Sequence, residues 1–225
     1  MSEDNTMKYV EKRKQIVEYG KKLLEEKLTT GTGGNISIFI REDQVMLISP
    51  SGIPYPDIKE EDIVLLNLEG EVLEGNRKPS SEYDMHRIFY QRTAHVNSVV
   101  HTHSEYATVF ACLHEEILPL HYIIGSVGNK IRCCDYKTFG TYELAEEVFQ
   151  TIGNDKGLLL GNHGVIAVGE DLPASFSVAK DIEFIAKLYY RARSIGKPVL
   201  LSDEALEEVV EKFDTYGQLR TYGQD

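Results

Sequence analysis

The chain has 225 residues, of which 42% are hydrophobic and 27% charged, and its formal net charge is −12. This size and balance suit one globular domain over residues 1–225 and exclude a fibrous or low-complexity chain. The acidity excludes the basic footprint of a nucleic-acid binder but not an anionic substrate, because backbone dipoles and a bound cation can make one pocket locally positive.

Apolar residues Val10, Ile16, Val17, Leu23 and Leu24 recur among charges at helical spacing, which predicts an amphipathic helix over residues 8–28. The run from Thr29 through Thr32, Gly33 and Gly34 to Asn35 stops it as a glycine-rich turn. Residues 36–40 and 44–48 then read as a hairpin. Pro50-Ser51-Gly52 and Pro54-Tyr55-Pro56 are loop signals, and residues 63–68 and 71–73 read as a second hairpin turning at Glu69-Gly70. Pro79-Ser80-Ser81 marks a helix start, and the helix runs from Glu82 to about Arg92. After it come a strand ending at His101, a helix over 104–112, strand-like pieces over 117–124 and a helix over 142–151. The last elements are short strands over 157–160 and 165–168 and helices over 173–195 and 203–213. Hairpins mixed with helices, without linker or repeat, predict one layered α/β domain.

Val99-Val100-His101-Thr102-His103 carries the strongest chemical signal. In an extended run the side chains at i and i+2 share a face, so His101 and His103 converge at a separation one transition metal can bridge. His163, flanked by Asn162 and Gly164 at the end of an apolar strand, is the candidate third ligand. Three protein ligands with one open position is the arrangement of a Lewis-acid metal site. Glu82, at a helix start, complements the helix dipole and is also the candidate base and occasional metal ligand. Ser80 and Ser81 at that helix N-terminus, with Gly33-Gly34-Asn35 and Ser51-Gly52, could supply donors to a phosphate. No Gly-Lys-Ser/Thr follows either loop, so neither is a Walker motif. His86, one helical turn after Glu82, could also be drawn into the metal site, but it is read as structural, along with His95, His114 and His121.

The cysteines, adjacent Cys133 and Cys134 with a separate Cys112, form no disulfide framework and no Cys-x-x-Cys motif. The N-terminus is polar, and no apolar run is long enough for a signal core or membrane span. A soluble, cytoplasmic protein with no membrane or nucleic-acid partner is expected.

Thr32-Gly33-Gly34-Asn35-Ile36-Ser37, Ile48-Ser49-Pro50-Ser51-Gly52-Ile53-Pro54-Tyr55, Pro79-Ser80-Ser81-Glu82, Val100-His101-Thr102-His103 and Asn162-His163-Gly164-Val165 together resemble the class II aldolase/adducin family in order and spacing. The resemblance runs from the first helix to Asp214-Thr215-Tyr216-Gly217. It implies an α/β fold, a three-layer α/β/α sandwich around a largely antiparallel sheet, and a fourfold-symmetric homotetramer with active sites between subunits. It also implies one zinc ion per subunit, with His101, His103, His163 and, at rest, Glu82 as ligands. Glu82 would serve as acid/base, and Thr32, Gly34, Asn35, Ser51, Gly52, Ser80 and Ser81 would hold the substrate phosphate. Tyr122 would reach from a neighbouring subunit to exchange the proton on the aldehyde-side oxygen, and Phe139 and Tyr216 would shape the aldehyde pocket.

Within the family, the motifs point to the branch that cleaves L-fuculose 1-phosphate to dihydroxyacetone phosphate and L-lactaldehyde, a metal-dependent aldehyde-lyase of sugar catabolism. Asn162 departs from that branch, which has a second histidine there; the ligand count stays intact but the surroundings of the metal change. The rival within the fold is an L-ribulose-5-phosphate 4-epimerase, which carries aspartate where Glu82 stands. A dehydratase acting on a sugar 1-phosphate is a further alternative. The non-enzymatic rival is an adducin-like interaction module, which needs no metal.

Overall fold

The central strands are rich in Val, Ile and Leu and bury both of their faces, so the sheet they form must be covered by helices on each side. The computed structural model describes residues 7–215. Its strands are β1 (Asn35–Ile40), β2 (Val45–Ile48), β3 (Val64–Asn67), β4 (Val72–Glu74), β5 (Ser98–Thr102), β6 (Cys133–Cys134), β7 (Gly157–Leu160) and β8 (Gly164–Gly169). They form one eight-stranded sheet in the order β4-β3-β2-β1-β5-β8-β7-β6, antiparallel except for the pair β6 and β7.

The helices are α1 (Val10–Glu25), α2 (Tyr83–Arg92), α3 (Glu105–Leu113), α4 (Tyr142–Ile152), α5 (Leu172–Ile195) and α6 (Asp203–Thr215). Strand alternation sorts them into two layers. Ile36, Leu47, Leu65, Val100 and Val165 point to a core shared with α1, α3 and α5. Phe39, Met46, Leu66, Val99 and Ile166 point to a second core shared with α2 and α4. The three-layer arrangement expected from the sequence is therefore present. No helix among the described residues is long and apolar enough to cross a membrane.

Residues 117–124 do not form the strand-like pieces expected. Ile117 makes an isolated antiparallel bridge to Ile131, and Tyr122–Ser126 is a 3-10 helix. Pro119 cannot donate to a ladder, and the His121 ring accepts the Ile123 amide at 3.3 Å, which favours a turn.

The ends of β1, β5 and β8 meet the N-terminus of α2. Asn35 lies opposite His101, and His101 opposite Ile166. By the period of two, Asn35, Ser37, Val99 and His101 all face the α2 layer. That shared face is where the site forms.

Candidate active site

Two glycines permit the close backbone approach that closes the site. Gly34 has φ +75°, and a Cβ on it would lie 2.5 Å from the His101 carbonyl oxygen; one on Gly164 would lie 2.3 Å from that of Thr102. Any side chain at either position would push the loops away from the end of β5. His163 occupies the turn between β7 and β8, and its amide donates to the Leu160 carbonyl at 2.9 Å. Asn162 before it adopts the left-handed conformation that asparagine tolerates, with φ 53°. Its side-chain oxygen accepts from His114 Nε2 at 2.6 Å.

The three imidazoles gather as expected. Ring centroids are 4.8 Å apart for His101 with His103, 4.8 Å for His101 with His163 and 5.2 Å for His103 with His163. One nitrogen from each can be chosen so that all three lie within 4.8 Å of one another. His101 Nδ1 donates to the Val165 carbonyl at 2.8 Å, so in the neutral ring Nε2 carries a lone pair. That Nε2 lies 3.0 Å from His103 Nε2 and 3.3 Å from Glu82 Oε2. His163 Nε2 is 3.3 Å from Glu82 Oε1.

A tetrahedral ion with bonds of about 2.0–2.1 Å sets its ligand atoms about 3.3 Å apart, which these separations approach. Glu82 Oε1 is buried and has no hydrogen-bond partner among the described residues. A carboxylate oxygen left bare in that place is costly unless a cation or proton completes it. The donor set therefore fits a divalent ion, and the triad is consistent with such a site. Burial, followed by the neighbouring imidazoles, holds His101 well below the ordinary histidine range. Burial lowers His103 and His163 as well. Rings that stay neutral keep their lone pairs available to a metal.

Glu82 is the residue immediately before α2. Its Oε2 accepts from Asn35 Nδ2 at 2.9 Å. Asn35 Oδ1 lies 2.5 Å from His86 Nε2, and His86 Nδ1 lies 2.7 Å from Ser37 Oγ. Burial pushes His86 down to about 3, so it too is neutral.

The candidate phosphate loops are stitched together by their backbones. Ser51 donates its amide to Lys78 O and Ser80 to Ser49 O, while Ser49 Oγ accepts the Ile36 amide. Those two amides are thus committed to the backbone, and the Ser51 side chain is exposed. Ser81, Gly52 and Thr32 are also exposed, whereas Ser80 is buried and its Oγ accepts the Glu82 amide at 3.3 Å.

A cavity of about 390 Å³ opens beside the triad, lined by Glu82, His103, Tyr136, Phe139, Asn162 and His163. Phe139 thus stands where a pocket-shaping residue would. Tyr122, expected to serve a neighbouring subunit, is 54% exposed, stacks near Phe213 and is absent from this cavity lining. Tyr216 lies outside the described residues. The sequence reading missed Tyr136, which had no signal beyond its nearness to Phe139. His86, one helical turn after Glu82 and assigned by the sequence reading to structure rather than to the metal site, is hydrogen-bonded to Asn35, whose amide joins it to Glu82.

The fold and the site together define a class. The family model described as Class II Aldolase and Adducin N-terminal domain matches residues 14–190, and the chain belongs to that family. A relative from Bacillus thuringiensis, 5-deoxy-D-ribulose 1-phosphate aldolase, is 49% identical over 206 residues, covering 92% of this chain and 97% of its own. The L-fuculose phosphate aldolase of Escherichia coli is 40% identical over 206 residues, covering 91% of this chain and 94% of its own. A solved L-fuculose 1-phosphate aldolase superposes with a TM-score of 0.89 at 42% identity, covering 95% of this chain and 98% of its own.

Proposed function

We propose that this protein is a metal-dependent aldolase that cleaves a short, methyl-terminated ketose 1-phosphate to dihydroxyacetone phosphate and a small aldehyde. The supporting observation is the buried Glu82 Oε1, which makes no hydrogen bond and lies 3.3 Å from His163 Nε2, among three imidazoles at the mouth of a cavity. The 49% relative favours 5-deoxy-D-ribulose 1-phosphate, which would yield acetaldehyde. L-Fuculose 1-phosphate, yielding L-lactaldehyde, is the second candidate, from the relatives near 40%. The two differ by one hydroxymethylene unit, and the aromatic rings of Tyr136 and Phe139 suit the methyl end of either.

His101, His103, His163 and Glu82 would hold the ion, zinc on the chemistry of its donors, one per subunit. When bound, such an ion polarises the ketose oxygens and stabilises negative charge developing on them. Thr32, Gly34, Asn35, Ser51, Gly52, Ser80 and Ser81 are the proposed phosphate cradle. In cleavage, Tyr122 of a neighbouring subunit takes the proton of the C4 hydroxyl, and that oxygen becomes the aldehyde carbonyl as the C3–C4 bond breaks. Glu82 Oε1, protonated from solvent once substrate is bound, delivers that proton to C3 while Tyr122 passes the hydroxyl proton on to solvent, so the proton count is unchanged. In the condensation direction Glu82 takes the C3 proton back. Phe139 and Tyr216 would border the departing aldehyde. This reading requires a homotetramer that places Tyr122 at the next subunit's site.

The test is release of dihydroxyacetone phosphate from each ketose phosphate by the zinc-loaded protein, followed through a coupled reduction. Turnover that stops with a chelator and returns with zinc is expected. Epimerisation of L-ribulose 5-phosphate with no dihydroxyacetone phosphate from either substrate would overturn the proposal.

A further inference from the structure

Glu82, His86 and Tyr90 fall four residues apart along one stripe of α2 and its leading residue, and Asn35 and Ser37 share one face of β1. The five side chains form a continuous buried chain. Glu82 Oε2 meets Asn35 Nδ2 at 2.9 Å, and Asn35 Oδ1 meets His86 Nε2 at 2.5 Å. His86 Nδ1 meets Ser37 Oγ at 2.7 Å, and Ser37 Oγ meets Tyr90 Oη at 2.5 Å. All five residues are 7% exposed or less.

The polarity of this chain follows from its end group. An ionised carboxylate only accepts, so Asn35 must turn its NH₂ to Glu82 and its oxygen to His86. An oxygen only accepts, so His86 Nε2 must carry the proton. The neutral ring then accepts at Nδ1, which obliges Ser37 to donate there. The single Ser37 proton is thereby used, so the Tyr90 hydroxyl donates to Ser37. Each hydrogen has one place, and reversing any link would set two acceptors or two protons face to face.

We infer that His86 is a positioning residue for the proton-transferring carboxylate: as the Nε2–H tautomer it locks the Asn35 amide so that Glu82 Oε2 is anchored and Oε1 alone is presented to the reaction. The inference rests on the proposed aldolase reading, in which Glu82 moves the carbon-bound proton. It explains why Oε1 is bare while Oε2 is satisfied. It also explains a fully buried imidazole outside the triad with both nitrogens engaged. A positioning partner orients the group that reacts and does not bind substrate, so its loss falls on kcat.

Two measurements test this. In the zinc-loaded protein carrying ¹⁵N-histidine, the His86 resonances should show a protonated Nε2 and a bare Nδ1, with His86→Gln identifying the signals. The Nδ1–H tautomer, or a doubly protonated ring at neutral pH, would overturn the inference whether or not any substrate is turned over. Kinetically, His86→Leu should lower kcat about 10- to 100-fold with KM within about twofold and zinc content unchanged. His86→Gln, whose amide can place an N–H near the Nε2 position, should recover most of that loss. A folded His86→Leu protein with kcat within twofold of the parent, a loss carried by KM, or no recovery in His86→Gln would each overturn it. A parent protein inactive on both ketose phosphates would defeat the aldolase reading instead, and the tautomer result would still stand or fall by itself.

Discussion

Glu82 has two oxygens in different circumstances, and that difference decides what a substitution does. Replacing it with Gln keeps the shape and a polar contact to Asn35 but removes the negative charge and the acceptor of a proton. Glu82→Gln should lower cleavage about a hundred- to ten-thousand-fold, while three histidines retain most of the metal; kcat and metal analysis on the same sample check both. An unchanged kcat would remove Glu82 from its role. His86 gives a second expectation, on stability. Burial holds it near 3, whereas an unfolded histidine titrates near 6.5. Between those values the unfolded chain binds the extra proton and the folded chain does not. The stabilisation is therefore complete above about 6.5 and is lost as the pH falls, by up to about 1.4 kcal/mol per unit. Urea midpoints of the metal-free protein at pH 7, 6 and 5 should decline in that order, and less steeply in His86→Gln. The triad itself was legible in the chain because i, i+2 spacing and a glycine-flanked turn are local signals. The chain from Tyr90 to Glu82 was not, since it depends on β1 packing against α2, which no local period reveals.

At the scale of elements, the long helix and the sheet edge respond to different forces. α5 starts with Asp171 accepting the Ala174 amide at 2.8 Å, with Pro173 close behind. Its far side buries Phe176, Ala179, Ile182 and Ile185 in the core that backs β5 and β8. Removing the cap with Asp171→Ala should cost about 1 kcal/mol. For a chain of this length that shifts Tm down by about 2–4 °C. Because the cap is remote from the triad, kcat and KM should hold, and a fall in kcat without loss of Tm would contradict that separation. Helices with an amphipathic period and strands with dense apolar runs could be read directly from sequence, as α1, α2, α4 and α5 were, although only α4 and α5 of these four carry a side-chain cap. The two-residue β6 could not, because a period needs more than two residues to register. The 3-10 helix at Tyr122–Ser126 was misread for a related reason: Ile117, Leu118, Leu120, Ile123 and Ile124 are apolar enough for a strand, and the decisive facts are Pro119 and the His121 cap.

For the whole molecule, the position of Tyr122 poses the question. Its ring is exposed on the surface of the chain, stacked near Phe213 and absent from the lining of the cavity that Glu82 borders. A hydroxyl there can reach reacting atoms only if it belongs to another copy's site. In a cyclic tetramer each site would then combine Glu82 of one subunit with Tyr122 of the next, the heterologous arrangement that closes a ring. Subunit mixing tests this without any assumption about rates. Glu82→Gln and Tyr122→Phe should each be nearly inactive alone. After the two are denatured together in equal amounts and refolded, random assembly gives sites with both residues intact at about one position in four. Activity should therefore rise to about a quarter of the parent's, where a site built within one chain predicts none. Mixing the folded proteins should restore it only as fast as subunits exchange. If the refolded mixture stays as inactive as its parts while the parent refolds under the same conditions, Tyr122 does not serve a neighbour. A residue of the cavity itself would then be the source of the proton on the aldehyde-side oxygen, and Tyr136 is the phenol that lines it.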